Sequence, residues 1–310
     1  MKKRQKNLLI SLITIFFLME FLLNSKALIK VFFNTINLCF YNLLPNIFVF
    51  FLITDILNNY DFPYLISKLL GGLIEKIYHL PKESTYILFM SQTSGFPGNS
   101  KLIKDGLDNH TLSTSSATRL LTMTHFANPL FIIYTVGINF FKDFKIGVII
   151  LIAHFITNFI VGLLFRNIYH DEKKDISHPI KESLPFISLL KTSFLNTTKI
   201  LINVFGIIIF FAITGSTLSK YLNLNPFSNM IINGLIEITN GLKLLSLLPI
   251  SKIKAAMLAT FFISFGGLSI HMQTMTILNK YNINYYIYLI SRILHAGLSS
   301  FLVFIIMSYC

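Results

Sequence analysis

Apolar runs of roughly 18–25 residues recur along this sequence, each long enough to carry a helix across about 30 Å of hydrocarbon. Lipid offers no partner to a free backbone N–H or C=O, so runs of this length fold as helices with internal hydrogen bonds. The composition agrees. Of 310 residues, 54% are hydrophobic and 13% charged, against about a quarter charged in a soluble domain. The chain reads as an all-α polytopic membrane protein with one membrane domain, and its first partner is the lipid bilayer.

The net charge is +13. The Lys and Arg side chains lie between apolar runs rather than on one soluble face. They are read as topology signals, and no nucleic-acid partner is expected. Cys39 sits in an apolar run and Cys310 at the last position, so neither a disulfide framework nor a metal pattern follows.

One stretch departs from the pattern. Residues 84–101 begin apolar and break after about a third of a crossing into Ser91, Gln92, Thr93, Ser94, Gly95, Pro97, Gly98 and Asn99. Non-helical backbone at membrane depth is tolerated only where protein buries it or a wet cavity adjoins it. A second break lies at Ser264-Phe265-Gly266-Gly267-Leu268-Ser269-Ile270-His271-Met272-Gln273. Interrupted segments in matching positions of two halves point to a transporter binding site.

Around these breaks the chain divides as follows. Residues 1–32 hold a basic head and a first span, read as uncleaved, with the N-terminus cytoplasmic. Residues 33–166 form a first repeat. It contains a span over 33–57 kinked at Pro45, an amphipathic segment over 62–80, a re-entrant hairpin over 84–116, and spans over 119–141 and 146–166. Asn128-Pro129 marks an unwinding point inside 119–141. Residues 167–191, charged and punctuated by Pro179 and Pro185, form a cytoplasmic linker. Residues 192–310 form a second repeat: a span over 194–218, an amphipathic segment over 226–248, a hairpin over 255–279 and a span over 283–308.

Gly72-Leu73-Ile74-Glu75 recurs as Gly234-Leu235-Ile236-Glu237, each followed by a Pro and then a break. Counting sides, with both breaks as hairpins, places the two hairpins on opposite faces. The expected fold is about six full spans plus two opposed re-entrant helical hairpins in inverted repeats.

No Gly-x-Ser-x-Gly, His-Glu-x-x-His, Walker loop or Cys cluster is present, so an enzyme is not expected. A transport reading uses the same residues directly. Helix N-termini after each break carry free N–H groups and partial positive charge, which suits an anion. Gly95, Gly98, Gly266 and Gly267 allow close backbone approach. Ser94, Asn99, Ser269 and Gln273 are hydrogen-bonding candidates, and Lys101 and His271 add charge. Asn128 marks the unwound span. Glu237, with Thr239 and Asn240, is a carboxylate in an apolar setting and a functional candidate, with Arg292 as one partner. Glu237, Asn240 and Gly241 are expected on one helical face. The span histidines His125, His154 and His295 are read as hydrogen-bonded helix contacts before proton relays. Ser and Gly also serve plain helix packing in membranes.

Four motifs in this order carry a resemblance: Ser94-Gly95-Phe96-Pro97-Gly98-Asn99-Ser100-Lys101, His125-Phe126-Ala127-Asn128-Pro129-Leu130-Phe131, Gly234 to Gly241, and Ser264 to Gln273. Over about residues 30–308 the chain resembles the sporulation integral membrane proteins of the YlbJ/SpoVV type, within the wider group carrying the nucleoside-recognition gate domain. The resemblance implies a membrane protein of a spore former, in the cell membrane or outer forespore membrane, moving dipicolinic acid. It also implies a fold like the concentrative nucleoside carriers. The expected substrate is thus a small organic anion. No cofactor is expected, the coupling ion is open between Na⁺ and a proton, and a homo-oligomer is left open. Two alternatives stand beside this: a nucleoside or cation symporter of the same fold, and a non-transporting membrane protein needed for spore envelope assembly. A basic lining would favour the anion. An acidic centre at Glu237 would favour a cation or nucleoside.

Overall fold

The computed structural model describes residues 3–60, 62–169 and 184–309. Its elements, in chain order, are α1 (Lys3–Leu23), α2 (Ser25–Leu38), a π-helical turn (Cys39–Leu43), α3 (Leu44–Asn59), α4 (Phe62–Tyr78), α5 (Ser84–Ser94), α6 (Gly98–Asp108), α7 (Thr114–Met123), a π-helix (Phe131–Phe140), α8 (Phe144–Leu164), α9 (Phe186–Tyr221), α10 (Pro226–Ile236), α11 (Ile238–Leu245), α12 (Lys252–Phe265), α13 (Gly267–Ile277) and α14 (Tyr285–Tyr309). No strand occurs among the described residues. Much of the expected linker, residues 170–183, lies outside them.

Five stretches are long and apolar enough to cross a membrane: Arg4–Leu23, Phe144–Leu164, Phe186–Tyr221, Lys252–Ile277 and Tyr285–Tyr309. A sixth is the pair Ser25–Leu43 and Ile47–Asn59, bent by 49°. The bend falls just ahead of Pro45, as expected where Pro removes an intrahelical bond. The protein is an all-helical, polytopic membrane protein.

Helix starts follow from local chemistry. Asp143 caps α8 by accepting from Lys145 N and Ile146 N at 3.1 and 3.4 Å. Asn225 caps α10 through Ser228 N at 2.9 Å, with Pro226 at the first helical position. Ser113 caps α7 through Ser116 N at 2.9 Å. Each side chain satisfies an N–H that the first turn leaves free.

The longest helix, α9, has α2 and α3 laid along it in the opposite direction. Phe40 meets Phe205 with ring centroids 5.9 Å apart, and Phe48 meets Phe194 at 5.6 Å. At the other end of α9, Tyr221 OH donates to Glu20 Oε2 at 2.5 Å and Lys220 pairs with Oε1 at 3.2 Å. Glu20 is buried although the rest of α1 is almost wholly exposed, so this polar latch joins the first span to the bundle. Two buried apolar clusters hold the remainder. One gathers Leu102, Ile103, Leu120, Leu121 and Met123. The other gathers Ile132, Ile150, Leu242, Phe262 and Ile263. Helix α14 serves both, giving Tyr288 to the first and Val303 to the second.

The structure departs from two expectations. The unwinding point expected at Asn128-Pro129 in the span over 119–141 is wider than expected: α7 ends at Met123, Thr124–Asn128 is non-helical, and a π-helix begins at Phe131. The segment over 226–248 is two helices interrupted at Glu237, whose backbone is extended at φ −142° and ψ 112°. Glu237 therefore does not share a helical face with Asn240 and Gly241. Lys252–Ile277, where a hairpin is expected, meets the length and composition of a crossing and is interrupted at Gly266. Glu75, the sequence counterpart of Glu237, lies inside the continuous helix α4 and pairs at 3.8 Å with Lys82.

Candidate functional site

Four interruptions in the helices meet at one place. They are Gly95–Pro97 between α5 and α6, Thr124–Asn128 after α7, Glu237 between α10 and α11, and Gly266 between α12 and α13.

The first two brace each other. Phe96 N donates to Phe126 O at 2.7 Å, and Asn128 Nδ2 donates to Thr93 O at 2.9 Å. Asn128 Oδ1 accepts from Leu130 N at 2.9 Å and so starts the next helix. Gly95 has φ +67°, and a Cβ there would stand 2.5 Å from Asn128 N. Only glycine fits both the left-handed backbone and the approach.

The free groups of Thr124–Asn128 find further partners on α8 and α14. Asn158 Nδ2 donates to Met123 O at 2.9 Å. Ala127 N donates to His154 Nε2 at 3.0 Å. With Nε2 accepting, the neutral His154 ring carries its proton on Nδ1 and donates to Ser264 Oγ at 2.8 Å. Ser264 and Ser299 hydroxyls share a hydrogen bond at 2.8 Å. The Arg292 guanidinium donates to Thr122 O, to Asn158 Oδ1 at 3.3 Å and to His295 Nδ1 at 2.9 Å. His295 Nε2 in turn donates to His154 O at 2.9 Å. Arg292 is fully buried and has no carboxylate partner among the described residues. Its charge instead faces the last carbonyls of α7, where the helix dipole is negative.

The third and fourth interruptions touch as well. A Cβ on Gly267, at φ +61°, would lie 3.3 Å from Ile236 O, and one on Gly266, at φ +90°, would lie 2.7 Å from His125 Nε2. Glu237 caps α11: Oε2 accepts from Asn240 N at 2.9 Å and Oε1 from Thr239 Oγ1 at 3.1 Å. Gly234 and Gly241 let α10 and α11 close on each other, because a Cβ on Gly241 would stand 2.1 Å from Gly234 Cα.

A cavity of about 50 Å³ lies where these segments converge. Phe96 and Pro97 line it from the first break, Asn128 from the second, Glu237 and Thr239 from the third, and Ser269 and Gln273 from the helix after the fourth. Asn42, Phe131 and Ile208 also line it, with five further apolar side chains. Glu237 is the one ionisable side chain among the lining residues. It is buried, at 3% exposure, and no cation pairs with it among the described residues.

The sequence candidates thus separate. Asn128, Glu237, Thr239, Ser269 and Gln273 line the cavity. Gly95, Gly266 and Gly267 shape the breaks around it, and Gly98 packs against Ser94 and Phe51. Ser94 Oγ donates to Met90 O at 3.0 Å, a helix-internal bond. Asn99 is fully buried, and its Nδ2 has no hydrogen-bond partner among the described residues. Asn240 contributes its backbone N–H to Glu237. Three expected positive groups are engaged elsewhere. Lys101 pairs with Asp55 and, at 3.1 Å, with Asp105. His271 is 3.0 Å from Phe265 O and 3.3 Å from Tyr285 OH. Arg292 holds α7 as described. Asn42 and Phe131 were not among the sequence candidates. An Asn three residues before Pro45 in an apolar run was the available signal for the first; Phe131 closes the His125–Phe131 motif, which was the signal for the second.

The chain is 26% identical to the sporulation integral membrane protein YlbJ of Bacillus subtilis (strain 168), over 286 residues covering 81% of this chain and 70% of that protein. This likeness supports a YlbJ-family assignment. No family model matches the chain, and no solved structure matches it. A membrane role in sporulation is compatible with the YlbJ likeness and with the apolar helices.

Proposed function

We propose that this protein is a membrane transporter of a small organic solute during sporulation, with dipicolinic acid, at the outer forespore membrane, as its substrate. The observation that carries the transport reading is the convergence of four broken helices on one cavity. Broken helices are tolerated at membrane depth where protein buries them or a wet cavity adjoins them, and in carriers such breaks meet at the binding site. The substrate comes from the family resemblance. At about 50 Å³ the cavity has room for a few waters, whereas an aromatic ring needs about 150 Å³. A substrate with an aromatic ring would therefore need the breaks to move apart.

The lining bears on the coupling. A dianion and the Glu237 carboxylate repel in a low-dielectric site. Dipicolinate would therefore travel with a proton or a cation that neutralises Glu237, and the inverted-repeat carrier architecture expected from sequence would provide the two-sided access.

A second reading is a nucleoside or cation symporter. It is favoured by the same carboxylate, set among the amides of Asn128 and Gln273 with no cation in the wall. Uptake of labelled dipicolinate and labelled uridine into proteoliposomes, with and without Na⁺ or a proton gradient, decides between them. Dipicolinate uptake that depends on an imposed gradient supports the first reading. Uridine uptake alone supports the second. Neither, under any gradient, supports the envelope-assembly role.

A further inference from the structure

We infer that the groove between α9 and α13 binds one anionic phospholipid, headgroup on Lys199 and acyl chain along Gly206 to Phe210. The groove measures about 480 Å³ and shares no lining residue with the Glu237 cavity. Lys199 and Asn203 line one end, Phe210 and Phe211 the other, and Met272 of α13 forms part of the wall. Polar and apolar ends are thus ordered along one helix, as in a lipid. Gly206 leaves the floor between them bare, since a Cβ there would meet nothing within 4 Å.

Lys199 is exposed and makes no ion pair among the described residues. It sits on a helix long and apolar enough to cross the membrane. A lipid-facing Lys is tolerated where its ammonium reaches the headgroup layer. From Lys199 to Phe210 is eleven residues, about 16 Å of helix, which matches one leaflet of a hydrocarbon core about 30 Å thick. Placing Lys199 at the headgroups therefore sets Phe210 near the bilayer midplane. An anionic headgroup supplies the opposite charge.

The test is native mass spectrometry of the full chain released from mixed phosphatidylglycerol and phosphatidylcholine micelles, comparing wild type with Lys199→Gln, Gly206→Leu and, as control, the exposed Lys145→Gln. Wild type is expected to retain one phosphatidylglycerol in preference to phosphatidylcholine. Lys199→Gln should reduce that preference about fivefold, Gly206→Leu should remove the retained lipid of either kind, and Lys145→Gln should change neither. Equal retention of both lipids by wild type would overturn the inference. So would a Lys199→Gln effect no larger than that of Lys145→Gln, or displacement of the retained lipid by dipicolinate.

Discussion

The side-chain amide of Asn128 donates to the backbone carbonyl of Thr93, 2.9 Å away. One residue thereby repairs two interruptions at once, because Oδ1 of the same amide accepts from Leu130 N at 2.9 Å. Asn128→Ala is expected to leave buried backbone groups unpaired and to destabilise the fold by about 1–3 kcal/mol. Thermal unfolding in detergent checks this. An unchanged transition would mean that the two breaks do not brace each other.

Gly95 and Gly266 are predicted to resist even the smallest side chain. Their φ values are +67° and +90°, and a Cβ would strike Asn128 N or His125 Nε2. Gly95→Ala and Gly266→Ala should each cost more than about 1 kcal/mol. Gly72→Ala and Gly297→Ala, in helices with open space at Cβ, should be neutral or stabilising by up to about 1 kcal/mol. Parallel unfolding midpoints for the four variants test the contrast.

Arg292 is predicted to act on stability before ligand. Its guanidinium holds Thr122 O, Asn158 and His295 together, which the single ammonium of lysine cannot reproduce. Arg292→Lys should lower the unfolding midpoint without any substrate present, by about 1.5–3 kcal/mol for each charged hydrogen bond lost. A substrate ligand would instead show normal stability and altered uptake.

Asp143 supplies a pH-dependent increment outside the membrane-spanning segments. The hydrogen bond from Lys252 Nζ, at 2.8 Å, holds its carboxyl below the usual carboxylate range. The folded-state pKa is depressed, so the contribution is present above the unfolded pKa and is lost as pH falls through the folded one. Stability of wild type should therefore fall at acid pH more than that of Asp143→Asn. At neutral pH Asp143→Ala should cost about 1 kcal/mol as a lost helix cap.

Much of this architecture is legible in the sequence, and the rest fails to be so for identifiable reasons. The runs that became α1, α8, α9 and α14 declare themselves by length and hydropathy. The breaks at Gly95 and Gly266 are visible because Ser, Gly and Pro crowd there. The break at Thr124–Asn128 contains no Gly; Asn128-Pro129 marks its end, but its extent back to Thr124 is not signalled. Its helix is lost because Phe96, Asn158, His154 and Arg292 offer its backbone better partners, and those partners are remote in sequence. Glu237 interrupts its helix because Gly234 and Gly241 close on each other, again a tertiary cause. Lys101 looked like a free positive charge only because Asp55, its partner, lies on another helix.

If solute passes through the Glu237 cavity as proposed, its wall must be reached from both sides of the membrane. Ser269→Cys, in a chain lacking Cys39 and Cys310, places one thiol on that wall. The measurement is its labelling by a membrane-impermeant thiol reagent from each side of sealed vesicles, with and without dipicolinate. Labelling from both sides and protection by dipicolinate are expected. A thiol that labels from neither side, or that dipicolinate leaves unprotected, would rule out this path.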